Sequence, residues 1–280
     1  MKLAYIIIAH KEFSQVASLI KSIKEDWNEI YLHIDYKSAF DINEFENCLD
    51  GILIHYILPR INVCWGHISQ VEAIFNGLTR VVESDINFDR VVLLSGQDLP
   101  VVSNEQIYDF FVHNWDVEFL EFAQFPIRWW PFGGYDRVLV YNFPDIVGPR
   151  INRLIRLFQM LFFIRRKDMK NFNYYGSSTW FNITGAAANY IVSFVQENDL
   201  VNRFKYTYCV DEVFFQTILL NSNFSKNCVN DSLRHIVWDK RKSHPSYLSK
   251  NEYKQLIQSN QIQLKCLFAR KFSAHFQRDI

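Results

Sequence analysis

Glycine and proline are scarce in this chain, 9 and 7 of 280 residues, and there is no low-complexity tract or internal repeat. Collagenous, linker-like and solenoid architectures are thereby excluded. The five cysteines (Cys48, Cys64, Cys209, Cys228 and Cys266) are odd in number and scattered, and none forms a C-x-x-C pair. That pattern argues against a disulfide framework or a cysteine zinc site and leaves reduced, packing thiols. Charge of one sign is also missing: 30 basic and 30 acidic residues cancel, so a general nucleic-acid role has no electrostatic support. No apolar run approaches membrane-spanning length. The opening "MKLAYIIIAHKEF" loses its apolar character at His10, Lys11 and Glu12. It reads as a buried first strand rather than a signal peptide, and the expected location is the cytoplasm.

Several catalytic signatures are missing too. No G-x-G-x-x-G or G-x-x-x-x-G-K-[ST] follows a strand, so dinucleotide and P-loop readings fail. No G-x-S-x-G elbow is present, and the eight histidines form neither H-x-x-x-H nor H-E-x-x-H. D-x-D, a common way of holding a divalent ion on a nucleotide diphosphate at a strand end, is absent as well.

Apolar and aromatic residues, by contrast, are plentiful: 49% hydrophobic and 16% aromatic, with 25 Phe. These exclude disorder and suffice for one large core or two small ones. Apolar strands alternate with helical patterns: "LAYIIIA", "FSQVASLIKSI", "EIYLHID", "ILIHYI", "SQVEAIFNGLTRVV" and "RVVLLSGQDLP". Ser69 with Glu72, and Ser103 with Gln106, have capping-box spacing at helix starts. The pattern predicts an α/β fold with a Rossmann-like, mostly parallel sheet and helices on both faces. Ligands in such sheets bind beyond the carboxyl ends of the strands, which here carry His10, Asp35, Ser95–Asp98 and Glu121. From about Phe125 the chain becomes more aromatic and basic without a linker. The expectation is one domain over 1–280, with a nucleotide-sugar-binding half at about 1–124 and an acceptor-binding, catalytic half at about 125–280.

Four features carry candidate chemistry. Asp35 ends a strand in "HIDYKS", where a carboxylate accepts hydrogen bonds from a ribose or base edge; a turn-forming aspartate is the alternative. In "YTYCVDEVFFQTILLNSNF", Asp211 and Glu212 stand before an apolar helix. A helix cap accounts for Asp211, whereas Glu212 at the mouth of a buried helix is either structural or a general base. Without D-x-D, a leaving diphosphate needs fixed cations, and the tail supplies Arg234, Arg270 and Lys271. A solvated basic surface is the competing meaning and suits Lys240–Lys242 better than Lys271. Finally, Ile151–Lys170 is a basic, very apolar helix. It is expected to pack its apolar face on the sheet with arginines outward, or else to lie on an anionic membrane surface.

Seven stretches, in order, resemble the core-2/I-branching β-1,6-N-acetylglucosaminyltransferases and peptide O-xylosyltransferases: "AYIIIAHKEFSQVASLI", "IYLHIDYKS", "CWGHISQVEA", "VVLLSGQDLPV", "YGSSTWFNITGAAANYIV", "VDEVFFQTILLNS" and "LFARKF". The resemblance implies a GT-A type glycosyltransferase fold and inverting, metal-independent transfer from a UDP-sugar. It places the catalytic base on Glu212, diphosphate contacts on Arg234 and Lys271, and a nucleoside contact on Asp35. Acceptor hydroxyls fall to Glu121, with Trp180 lining the acceptor pocket. Residues 127–173 match poorly, so the acceptor-side arginine is either Arg128 or Arg137. Animal members carry a membrane anchor and disulfides, and their absence here looks like a bacterial version. It would act in the cytoplasm, or on the inner face of the cytoplasmic membrane, in polysaccharide biosynthesis on a glycan or glycolipid precursor. The donor sugar stays open between N-acetylglucosamine, xylose and another hexose. The rivals are a non-catalytic nucleotide-sugar or carbohydrate-binding protein and a metal-dependent transferase using Asp98.

Overall fold

A computed structural model describes residues 1–169, 172–239, 244–273 and 276. The end of the 151–170 stretch and the Lys240–Lys242 basic cluster lie outside the described residues. The first half alternates β1 (Leu3–Ala9), α1 (Phe13–Ile23), β2 (Asn28–Ile34), α2 (Ile42–Cys48), β3 (His55–Tyr56), α3 (Ser69–Val82), β4 (Arg90–Ser95), β5 (Asp98–Pro100) and α4 (Asn104–His113). Then come β6 (Glu118–Leu120), β7 (Ala123–Gln124), α5 (Tyr135–Val138), α6 (Pro144–Leu161), β8 (Tyr175–Gly176), β9 (Phe181–Thr184) and α7 (Gly185–Glu197). The last part holds α8 (Leu200–Phe204), α9 (Phe214–Leu220), β10 (Cys228–Asn230), β11 (Arg234–Ile236), α10 (Lys250–Ile262) and β12 (Phe268–Arg270).

The seven-stranded sheet runs β10-β6-β9-β4-β1-β2-β3. β1, β2, β3 and β4 are mutually parallel, as are β6 and β10, while β9 is antiparallel to both β4 and β6. This is the expected mixed α/β architecture. Because β9 sits between β6 and β4, both halves of the chain contribute to one sheet. Strand β1, paired on both sides, is apolar throughout because both faces are covered. Ala4 and Ile6 join a core with Val71, Leu78, Ile191 and Phe215 on one face. Leu3, Tyr5 and Ile7 join Val16, Ile20, Ile107 and Phe111 on the other. The period-two alternation of a strand sends neighbours to opposite layers, so a uniform apolar run fills two cores.

Two small sheets hang on this frame and position polar side chains. One is ordered β11-β12-β5, with Arg270 directly opposite Asp98 in the antiparallel β12–β5 pair. The other pairs β7 with β8, Ala123 opposite Gly176.

Several local expectations change. Ser103 and Gln106 do form a capping box on α4. Ser69 and Glu72 do not: α3 is capped at Ile68 without a side-chain bond, because the Ser69 hydroxyl accepts from the Cys64 amide at 2.8 Å in the preceding turn. The stretch after β4 does not simply end the strand: Asp98–Pro100 forms β5, since its residues find a partner strand in the distant tail. The stretch "ILIHYI" keeps only His55–Tyr56 as strand, at the sheet edge. Helix α6 begins earlier than expected, is broken at Gly148 (φ 71°) and ends at Leu161.

Of the chain's glycines, Gly185 at the start of α7 has the least room for a side chain. A Cβ on Gly185 would lie 1.8 Å from the Phe88 carbonyl oxygen, while the Gly185 amide donates to the Asp89 carbonyl at 2.9 Å. Gly185→Ala therefore forces β9 and the β4 entrance apart. It should lower stability by about 1–3 kcal/mol, the usual range for overpacking, read as a drop in the urea midpoint. An unchanged midpoint would show that this approach is not tight in solution.

Candidate functional site

The turn at Cys209 adopts a left-handed backbone (φ 47°), and a single 3-10 turn over Val210–Glu212 precedes α9. Asp211 therefore does not cap the helix; α9 starts at Phe214 with no side-chain cap. The Asp211 carboxylate points away and is buried, accepting from the Thr179 hydroxyl at 2.6 Å and from Gln70 Nε2 at 3.5 Å. Burial raises its pKa, and the Thr179 bond opposes the rise.

Glu212 faces the other way. Its Oε2 accepts from Arg137 Nη1 at 2.6 Å, and a third of its side-chain surface (35%) still reaches solvent. Arg137 is held flat, its guanidinium carbon 3.6 Å from the Trp130 ring centroid. Burial raises the Glu212 pKa and the adjacent Asp211 charge raises it further, while Arg137 pulls it down. Of the two arginines considered for this role, Arg137 reaches Glu212 and Arg128 lies exposed on the surface.

A second cluster is cationic. Asp98 is fully buried (0% exposed) and accepts from the Ser95 amide at 2.9 Å and the Ser95 hydroxyl at 3.0 Å. Two guanidiniums share it: Arg234 Nε at 3.6 Å and Arg270 Nη1 at 3.5 Å. Those distances allow charge attraction but not hydrogen bonds, and among the described residues Arg234 Nε, Arg270 Nε and Arg270 Nη1 have no hydrogen-bond acceptor. Arg234 also donates from Nη1 to the Ser232 carbonyl at 3.1 Å and from Nη2 to the Leu93 carbonyl. Burial pushes the Arg234 pKa down to about 10 and lowers that of Arg270, with Asp98 opposing both shifts. Trp180, expected in the acceptor pocket, lies against this pair, its ring centroid 5.2 Å from the Arg234 guanidinium carbon and 4.2 Å from that of Arg270. Arg270 is the member that sequence reasoning noted but did not single out; its only signal is strand register against Asp98.

Lys271 follows Arg270 and sits apart from Asp98, with Nζ 4.8 Å from the Tyr247 ring centroid. It lies in electrostatic reach of His10, whose pKa is lowered first by burial, then by Lys11 and Lys271, with Asp35 opposing. His10, Asp35 and Lys271 thus share the carboxyl ends of β1 and β2. Asp35 also makes the local bond of a turn, accepting from the Lys37 amide at 3.0 Å, and a long-range one from the Val63 amide at 3.4 Å. Glu121 accepts from the Ser232 hydroxyl at 2.7 Å and the Ser177 hydroxyl at 3.4 Å. Among the described residues no group of three or more His, Cys, Asp or Glu side chains is arranged to hold a metal ion.

Residues 177–180 join these clusters. The Ser177 amide donates to the Glu212 carbonyl at 3.0 Å and its hydroxyl reaches Glu121. Thr179 binds Asp211, and Trp180 lies under both guanidiniums. One short segment therefore touches the carboxylate turn at one end and the cationic pair at the other.

The chain is 24% identical over 302 aligned residues to xylosyltransferase 2 of Rattus norvegicus, covering 100% of this chain and 33% of that protein. It is 30% identical over 109 residues to the Mus musculus β-1,3-galactosyl-O-glycosyl-glycoprotein β-1,6-N-acetylglucosaminyltransferase 4, covering 38% of this chain and 24% of that protein. The chain thus spans about a third of the length of the first relative and matches a quarter of the second. The crystal structure of mouse xyloside xylosyltransferase 1 in its apo form aligns over 96% of both chains, with a TM-score of 0.41 and 10% identity. The family model described as "Core-2/I-Branching enzyme" matches residues 3–259, and the chain belongs to that family.

Proposed function

We propose that this chain is an inverting glycosyltransferase of GT-A type. It moves a sugar from a UDP-sugar to a hydroxyl of a glycan or lipid-linked saccharide, with Glu212 as general base and without a divalent metal. The donor sugar is N-acetylglucosamine, xylose or another hexose; the relatives' names supply the first two classes. The observation that carries the reading is the 177–180 segment, which brings a carboxylate–arginine pair and a buried guanidinium pair close together. Three residue steps span at most about 10 Å, the scale on which an acceptor hydroxyl, a sugar ring and a phosphate line up.

In this reading the nucleoside lies over the carboxyl ends of β1 and β2, contacted by Asp35 and His10. Lys271 and Arg270 face the diphosphate, Arg234 adds its charge from a fully buried position behind them, and Asp98 holds the two arginines in place. Glu121 and Arg137 bind acceptor hydroxyls. The acceptor oxygen attacks the anomeric carbon from the side opposite UDP while Glu212 takes its proton. The bond from the anomeric carbon to the phosphate oxygen breaks, and its electron pair leaves with UDP, whose new charge meets the fixed cations.

Glu212→Gln keeps the side chain's shape and removes its basicity. It should lower kcat by about 10²–10⁴-fold while UDP affinity, measured by calorimetry, stays at the parent's value. Parent-like turnover would remove Glu212 from the role of base. Because the Glu212 pKa is raised, activity should fall with decreasing pH through a limb lying above the usual carboxylate range. Asp211→Asn deletes the neighbouring negative charge, so the acid limb of kcat/KM should move to lower pH. A limb that stays in place would mean that Asp211 is not sensed at the base.

The leaving-group assignment is tested separately. Lys271→Ala and Arg270→Ala should each weaken UDP binding, and slow transfer from a UDP-sugar should persist in excess chelator. Abolition by chelator with rescue by Mn²⁺ would favour a metal site at Asp98 instead.

A further inference from the structure

Helix α6 is built inside out. The face turned to the protein is polar: Asn152 accepts from the Phe143 amide at 2.7 Å, and Gln159 accepts from the Tyr141 amide at 2.9 Å and donates to its carbonyl at 2.8 Å. Arg156 pairs with Asp136 at 3.0 Å and covers the Tyr208 ring. The face turned away carries Ile151, Leu154, Leu157, Phe158 and Leu161, all exposed, and continues into Phe162, Phe163 and Ile164, with Leu161 at 74% and Phe163 at 78% exposure. This reverses the expectation that the apolar face would pack on the sheet. A contiguous apolar stripe of this kind is rare on a protein surface that meets only water.

Its charged neighbours identify the occupant. Arg150 and Arg153 flank one end of the stripe and Arg165 and Lys167 the other, all exposed. The acidic residues among 144–168 are Asp145 and Asp168; Asp145 lies 3.6 Å from the His67 ring and Asp168 pairs with Arg166 at 3.2 Å. We propose that α6 and residues 162–167 form an interfacial element that seats on an anionic lipid surface, apolar side chains in the acyl boundary and the basic residues at the headgroups. A second copy of the chain is disfavoured, because a two-fold contact through this stripe would oppose the same basic residues. No helix among the described residues is long and apolar enough to cross a membrane, so the contact is peripheral. The element is fastened close to the candidate site: Asn142, which also accepts from Asn152, donates from Nδ2 to the Arg137 carbonyl at 3.1 Å. Docking would therefore bring the Arg137–Glu212 mouth near the lipid surface. The inference goes beyond the proposed transfer activity and does not depend on it.

The test is vesicle flotation of the full chain, without donor sugar, on phosphatidylcholine vesicles with and without phosphatidylglycerol. The parent should float with the anionic vesicles, stay behind with the neutral ones, and be released as salt is raised. Leu154→Gln with Leu161→Gln keeps helix propensity and should reduce partitioning by about tenfold or more. Arg150→Gln and Arg153→Gln should each reduce it by about fivefold. Circular dichroism should be unchanged for all of them, since the replaced side chains are exposed. Failure of the parent to float overturns the proposal, as does parent-like flotation of the double leucine variant. So does a parent dimer that the leucine variant breaks without any flotation by either.

Discussion

Two guanidiniums sharing one fully buried carboxylate constrain everything around them. Asp98 is satisfied by Ser95 and held 3.5–3.6 Å from Arg270 and Arg234; among the described residues Arg234 Nε and Arg270 Nε and Nη1 have no hydrogen-bond acceptor, and this one carboxylate offsets only one of the two cations, leaving the trio a surplus positive charge that Glu121 opposes from farther away. Removing charged groups from water is expensive, several kcal/mol per ion even after relaxation, and such a surplus is tolerated where an anion completes it. The three-stranded β11-β12-β5 sheet enforces the arrangement, since its register sets Arg270 opposite Asp98. Trp180 adds an aromatic face beneath both cations without neutralising them. A diphosphate is the kind of partner this geometry favours.

The carboxylate turn is arranged by a different rule. Adjacent acidic residues repel when both are ionised, and the 3-10 turn relieves this by sending them in opposite directions. Asp211 goes inward to Thr179, and Glu212 goes outward to Arg137. Asp211 then serves structure, tying 177–180 to the turn, while its charge adds to the burial that raises the Glu212 pKa. Arg137 limits that rise, and its own position is fixed by Trp130. Basicity at Glu212 is thus a balance of three groups on separate elements, and Ser177 and Thr179 hold that balance at a set distance from the cations.

What was legible in the sequence follows from which features are local. Strands β1, β2 and β4 and helices α1 and α4 were readable because a period of two or 3.6 and a cap at Ser103 are written within a dozen residues. Their carboxyl ends pointed to His10, Asp35 and Asp98 by the general rule for parallel sheets. Glu212 was singled out because a carboxylate beside a buried helix is unusual. Features that depend on partners far along the chain were not readable. The pairing of Asp98 with Arg270 joins positions 98 and 270, and the choice of Arg137 over Arg128 depends on which side of the Trp130 loop faces Glu212. The assignments of Asp211 and Ser69 as caps failed because each oxygen found a stronger partner off its own helix: the Thr179 hydroxyl in one case, the Cys64 amide in the other.

Helix α6 shows the same limit in its sharpest form. Hydrophobic periodicity defines an axis across a helix, one side apolar and one polar, but not which side meets the protein. The usual inference that the apolar side turns inward assumes that the neighbouring surface offers no polar groups in need of partners. Here it does: the backbone of Tyr141 and Phe143 and the carboxylate of Asp136 lie where α6 docks. An unpaired buried polar group costs about 1–3 kcal/mol, so these groups favour Asn152, Gln159 and Arg156 over leucine and phenylalanine. Turning the polar face inward satisfies the two backbone groups, pairs one oxygen of Asp136, and leaves the apolar stripe to be covered by something other than the protein's own core.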